Sequence, residues 1–265
     1  MTSTTIAGRR ASTGLLLAWV AGAVGIGAQM IFPFTDGGTL TLTILSVLML
    51  ATASVVHVAV TRGASALVAL LVVAGGGGLL AEAIGVRTGM PFGSYAYSGT
   101  LGVQVLGVPA VVPLAWLMMA YPALLVGRRL TGGRRIAVPF VAAWALTSWD
   151  VFLDPQMVDA GHWTWAHPTP SLPGVDDIPL TNFAGWLLVS LVMCALLDRL
   201  IGRTPRDAPD DGLPITVFLW TYASSVLAHL AFFGRPPVAV AGALIMGIVA
   251  IPLAIDVWRR HRARP

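Results

Sequence analysis

The sequence predicts an all-α membrane protein, a single domain over residues 1–265 with about eight transmembrane helices and both termini cytoplasmic. Three observations predict it. The chain is 56% hydrophobic and only 11% charged, with a mean hydropathy of +0.80, well outside the range of soluble proteins. Uncharged apolar runs long enough to cross a hydrocarbon core of about 30 Å recur along it. In lipid the backbone must satisfy its own hydrogen bonds, so such runs are helical. Finally, the basic residues fall on alternate connections, as the positive-inside rule requires.

Eight candidate helices follow in order. The run 14–32 comes after Arg9 and Arg10 and carries Ala18, Ala21, Gly22, Gly25 and Gly27 at the small-residue spacing that lets helices approach closely in lipid. It could pass for a signal peptide, but its removal would leave seven spans and reverse the first charge cue, so a retained helix is expected. The run 40–61 ends at Arg62. The run 65–85 contains Gly75–Gly78, which suit close helix packing or, alternatively, a smooth groove for a long flat ligand. Runs 109–127 and 135–153 flank Arg128, Arg129, Arg134 and Arg135. Run 182–201 carries Arg199 near its end, and Arg203 and Arg206 follow in a solvated loop before 213–233. The last run, 237–257, precedes Arg259, Arg260, Arg262 and Arg264. All 16 basic residues are Arg, and only Arg87 and Arg235 fall on the opposite side. The isoelectric point near 10.0 therefore reports topology in a cytoplasmic (inner) membrane and an affinity for anionic lipid. Nucleic acid is not implied. The single cysteine, Cys194, lies mid-helix and permits neither a disulfide nor a cysteine metal site within one chain.

Two connections on the outer side are long, Val86–Val108 and Pro155–Thr181, and long ordered loops tend to carry function. They hold Phe92, Tyr95, Tyr97, Trp163, Trp165, Asp176 and Asp177. Their rings are expected in the interfacial aromatic belt.

Polar residues concentrate at the same outer end: Gln29, Glu82, Trp116, Asp150, Asp154, Asn182 and His229. On the inner side His57 and Asp198 read as interfacial residues. An ionisable group inside a membrane costs about 2.5–3.5 kcal/mol, so convergent carboxyls suggest a shared site. Asp150 and Asp154 stand at i and i+4 on one helical face. Two such carboxyls in poorly hydrated surroundings do not both ionise easily, and one that keeps its proton can act as a general acid. The structural alternative has Asp154 capping a helix end before Pro155 and Asp150 paired to a neighbouring helix.

What the sequence lacks narrows the chemistry. The 5 histidines, at 57, 162, 167, 229 and 261, include no i,i+3 or i,i+4 pair, so a histidine-built metal centre is unsupported. Nucleotide-binding loops and an activated serine or cysteine are unsupported too. The expectation is carboxyl acid–base chemistry, with neither metal nor organic cofactor, on a membrane-soluble substrate. A proton-coupled carrier is a rival of another class, since buried carboxyls also mark proton relays.

Glu82, TGMPFGSYAYS (Thr88–Ser98), GVPAVVPLAW (Gly107–Trp116), WDVFLDPQMV (Trp149–Val158), Trp163-Thr164-Trp165 and NFAGW (Asn182–Trp186) together resemble the carotenoid biosynthesis hydratases of bacteria and archaea, a family that includes γ-carotene 1′-hydratases and bisanhydrobacterioruberin hydratases. The resemblance spans roughly residues 75–200. It implies addition of water across the terminal double bond of an acyclic carotenoid such as lycopene, giving a tertiary alcohol. The residues then expected to act are Glu82, Asp150 and Asp154 as catalytic groups, with Tyr95, Tyr97, Trp116, Trp149, Asn182 and His229 around the substrate. Membrane lipid and other enzymes of the pathway are the partners implied. A carotene cyclase, which shares the protonation step, is the nearest alternative.

Overall fold

The structure, a computed structural model, describes residues 3–35, 39–202 and 211–263, with side chains from residue 13 onward. Arg203, Arg206 and Arg264 lie outside the described residues, as do the side chains of Arg9 and Arg10. The chain is a polytopic α-helical membrane protein. Its long helices are α1 (Ser3–Ile31), α2 (Leu40–Arg62), α5 (Val111–Leu130), α6 (Ala137–Asp159), α7 (Leu180–Leu200), α8 (Gly212–Ala231) and α9 (Pro236–Arg262). One further rod is made of α3 (Ala64–Leu70) and α4 (Gly77–Thr88), joined by a π-helical turn at Leu71–Gly76.

Of these rods, 7 are long and apolar enough to cross a membrane. The exception is α6, the helix with Asp150, Asp154 and Asp159. It packs against α5, α7 and α9, so the helix least suited to lipid lies among protein neighbours. It is also longer than expected. The run 135–153 becomes Ala137–Asp159 because the helix continues through Pro155. Asp154 is therefore an internal residue and caps nothing. Beyond it, Arg235 pairs with Asp159 and donates to the Pro155 carbonyl.

The two ends of the bundle differ chemically. At one end, Arg62 of α2 pairs with Asp211 at 2.9 Å, Arg128 of α5 with Asp198 at 2.7 Å, and Arg129 with Asp256 of α9 at 2.6 Å. Asp198 and His57, expected at the lipid interface, are instead buried. Asp198 holds Arg128, and His57 Nδ1 lies 3.0 Å from the Tyr121 hydroxyl. A buried ion on a helix end is tolerable because its partner comes from the neighbouring helix.

At the other end the two long connections fold over the bundle and pair. Strand β1 (Tyr95–Tyr97) runs antiparallel to β4 (Trp163–Trp165), while β2 (Gln104–Val105) with β3 (Val108–Pro109), and β5 (Ser171–Leu172) with β6 (Val175–Pro179), form two short hairpins. Alternate residues of a strand share a face. Tyr95 therefore stands opposite Trp165 and Tyr97 opposite Trp163. Trp163 and Trp165 are buried rather than displayed in an aromatic belt, because strand pairing turns both inward.

Candidate functional site

Glu82 sits near the end of α4, almost wholly buried, and is the chain's only glutamate. Its Oε2 accepts hydrogen bonds from the hydroxyls of Tyr95 at 2.5 Å and Tyr97 at 2.9 Å, and its Oε1 accepts from Trp116 Nε1 at 3.2 Å. Three donors from β1 and α5 thus converge on one carboxyl group. Burial first, and then the Glu82 charge, hold the phenols of Tyr95 and Tyr97 far above the ordinary tyrosine range. They act as neutral donors.

Asp150 and Asp154 meet at Asn182, the third residue of α7. Its Nδ2 donates to Asp154 Oδ2 at 2.5 Å and to Asp150 Oδ2 at 2.8 Å. An amide nitrogen has two hydrogens, so one side chain can bridge both carboxyls. Asp154 Oδ1 also accepts from Trp163 Nε1 at 3.2 Å. Asp150 Oδ1 is buried with no protein partner.

These groups border a cavity of about 80 Å³. That is several times the roughly 10–15 Å³ needed for one water, measured the same way. Its wall includes Glu82, Tyr95, Tyr97, Trp116, Trp149, Asp154 and Asn182, with Trp163, Trp165 and Trp186 completing an aromatic shell. Asp154 lines the cavity, while Asp150 lies behind it. Trp116 stacks on Trp186 with ring centres 4.0 Å apart, and Trp149 meets Trp186 edge-on at 6.3 Å.

Small residues make this packing possible. A Cβ on Gly78 would lie 2.6 Å from the Trp116 ring, one on Gly85 2.8 Å from Phe92, and one on Gly185 2.6 Å from the Pro91 carbonyl. Of the glycines 75–78, Gly78 admits Trp116 and Gly75 faces Leu117, while Gly76 and Gly77 meet no neighbouring helix.

Residues 38–249 match the family of carotenoid biosynthesis proteins. The chain belongs to that family. The carotenoid biosynthesis family segment contains every residue of the cavity wall, which runs from Thr43 to Trp186. The chain is also 31% identical over 174 residues to the bisanhydrobacterioruberin hydratase of Haloarcula japonica, a match that covers 62% of this chain and 58% of that relative. The match thus spans less than two thirds of the relative's length. No solved structure matches the chain.

Of the residues singled out in the sequence, the structure brings together Glu82, Tyr95, Tyr97, Trp116, Trp149, Asp150, Asp154 and Asn182. His229 stands apart. It lines a second cavity, with Nε2 directed at the Phe152 carbonyl at 3.1 Å. The tryptophans of the wall that were not singled out as part of a site are Trp163, Trp165 and Trp186. The first two had a signal, since W-T-W at period 2 matches Y-A-Y in the other connection. Trp186 falls one turn after Asn182 on the same face of α7. Among the described residues no three His, Cys, Asp or Glu side chains are grouped as a metal ion would require.

Proposed function

We propose that this protein hydrates the terminal trisubstituted double bond of an acyclic carotenoid, using carboxyl groups for proton transfer and no cofactor. The observation that carries the reading is the pair Asp150 and Asp154 bridged by Asn182, with Asp154 facing an aromatic cavity on whose wall Glu82 also stands. Membership in the carotenoid biosynthesis family and the similarity to a protein named as a hydratase support it.

In this mechanism Asp154, in its neutral form, transfers its proton to the less substituted carbon of the double bond. The π pair forms the new C–H bond and leaves a tertiary carbocation. The faces of Trp116, Trp149 and the tyrosines stabilise that charge, and the Glu82 carboxylate, oriented by its three donors, adds its negative charge from the cavity wall. A water molecule attacks the cation, its oxygen forming the C–O bond. Its extra proton returns to a carboxylate, which restores the pair and leaves the tertiary alcohol. Asp150 acts as a positioning residue: it shares Asn182 with Asp154 and keeps the acid in a poorly hydrated place.

The test is expression in a lycopene-producing host, with pigments analysed by mass in ¹⁸O-labelled water. Products heavier by one labelled water are expected. Unchanged mass with a shifted absorption spectrum would indicate cyclisation instead, and an added oxygen without the label, drawn from O₂, would indicate an oxygenase. Pigments unchanged in every respect would overturn the proposal and favour a carrier.

A further inference from the structure

The second cavity, about 390 Å³, lies between the outer ends of α1, α2, α6 and α8. Its size falls within the roughly 300–1,000 Å³ of ligand pockets. It shares Thr43, Val47, Trp149, Leu153 and Met157 with the carboxyl cavity, so one wall separates the two. Phenylalanines at 32, 34, 232 and 233 lie on its lining. Two edge-to-face pairs, Phe32–Phe233 and Phe34–Phe232, join the end of α1 to the end of α8.

His229 supplies the specific feature. It is 1% exposed and borders this cavity. Its Nε2 points at the Phe152 carbonyl, and a carbonyl only accepts, so Nε2 carries the proton. Nδ1 of the neutral ring then presents a lone pair. That atom is buried and has no protein partner. A buried polar atom is normally satisfied, so this one asks for a donor from a ligand. An aldehyde, ether or pure hydrocarbon has no such donor; an alcohol does.

We propose that the second cavity binds the hydroxyl-bearing end of an isoprenoid chain, with the hydroxyl donating to His229 Nδ1 and the branched chain lying against the phenylalanines. This deepens the hydratase reading and rests on it: the tertiary alcohol formed in the carboxyl cavity is such an end, and a single wall of five side chains separates it from this site. The second cavity is then where the product end settles before release.

The experiment uses the full chain in lipid nanodiscs and two tritiated probes without double bonds, 2,6,10,14-tetramethylhexadecan-2-ol and its parent hydrocarbon phytane. Retention is measured by scintillation proximity, with empty discs subtracted. One net hydrogen bond corresponds to about a three- to tenfold preference for the alcohol. His229→Phe should bring the ratio to about one while keeping phytane. Ser224→Phe, which fills the cavity, should release both probes. Asp154→Asn should leave the preference intact. Equal retention of both probes by the wild type overturns the proposal. So does a preference that survives in folded His229→Phe, or one lost in Asp154→Asn and kept in His229→Phe, which places the hydroxyl in the carboxyl cavity. If His229→Phe does not fold, retention of both probes by Ser224→Phe overturns it. Neither probe can be hydrated, so the outcome is independent of turnover: a preference for the alcohol in a protein that adds no water to carotenoids would leave the site standing and remove the hydratase reading alone.

Discussion

Asp154 and Asp150 are chemically alike and placed differently, and the proposed mechanism gives them different roles on that ground. Asp154 borders the cavity, whereas Asp150 does not and shares Asn182 with it. General acid catalysis contributes about 10²–10⁴-fold, so Asp154→Asn should lower kcat by at least a hundredfold in protein that still inserts and elutes as a single species. Asp150→Asn should lower kcat at nearly unchanged KM, because it alters the acid without touching the substrate. Asp176→Asn, exposed on β6, should change neither constant. Normal turnover in all three of Asp154→Asn, Asp150→Asn and Glu82→Gln would make the carboxyls purely structural.

Tyr95 and Tyr97 support a second prediction at the residue scale. Their phenols are held above the ordinary range in the folded protein. An unfolded chain would release those protons near pH 10 while the native state keeps them. Above that pH the native state binds more protons than the unfolded one, so stability falls as pH rises. Thermal melts in detergent should therefore show Tm dropping above pH 10 in the wild type and dropping less in Tyr95→Phe. An equal alkaline drop in both would mean these phenols do not carry the effect.

At the scale of elements, the site depends on how closely α4 approaches α5. Trp116 of α5 lies over Gly78, beside the π-helical turn Leu71–Gly76. A π turn is uncommon and often marks a functional region. Here it joins the helix of Glu82 to the rest of its rod. Gly78→Val would drive a branched side chain into the indole, and overpacking of this kind costs about 1–3 kcal/mol. The expected result is a lowered Tm together with weaker activity, since Trp116 Nε1 is one of the three donors to Glu82. A variant with wild-type Tm and activity would show that this approach has slack. The β1–β4 ribbon is the other decisive element. It sets Tyr95 and Tyr97 on Glu82 and Trp163 on Asp154 from two connections far apart in sequence.

At the scale of the molecule, the bundle carries the ion pairs of Arg62, Arg128 and Arg129 at one end and the carboxyl cavity at the other. We propose, from the arginine distribution, that the end with these pairs faces the cytoplasm, where positive charge is retained. A green fluorescent protein inserted between α5 and α6, within Thr131–Ile136, should fluoresce, and one inserted near Ser98 should not. The reverse pattern would put the cavity on the cytoplasmic side and overturn the orientation. The substrate proposed above fits this arrangement: a long polyene is comparable in length to the bilayer core, so one end can reach the cavity while the chain stays in lipid.

Much of this architecture was legible in the sequence. Apolar runs determined the helices, because lipid offers the backbone no other partner, and the depth of the polar residues along those runs marked one end of the bundle as the place for a site. The spacing of Asp150 and Asp154 determined that they share a face, since helical periodicity is local. What lies between elements was not legible. That Asp198 and His57 are buried with partners, that Gly78 receives an indole, that Trp163 and Trp165 turn inward and that His229 belongs to another cavity were decided by tertiary structure alone. Each depends on which distant surface lies opposite, and packing partners leave no periodic trace in the chain. The bridge from Asn182 to both aspartates is of this kind: α6 sets the two carboxyls on one face, and the docking of α7 beside it supplies the amide that joins them.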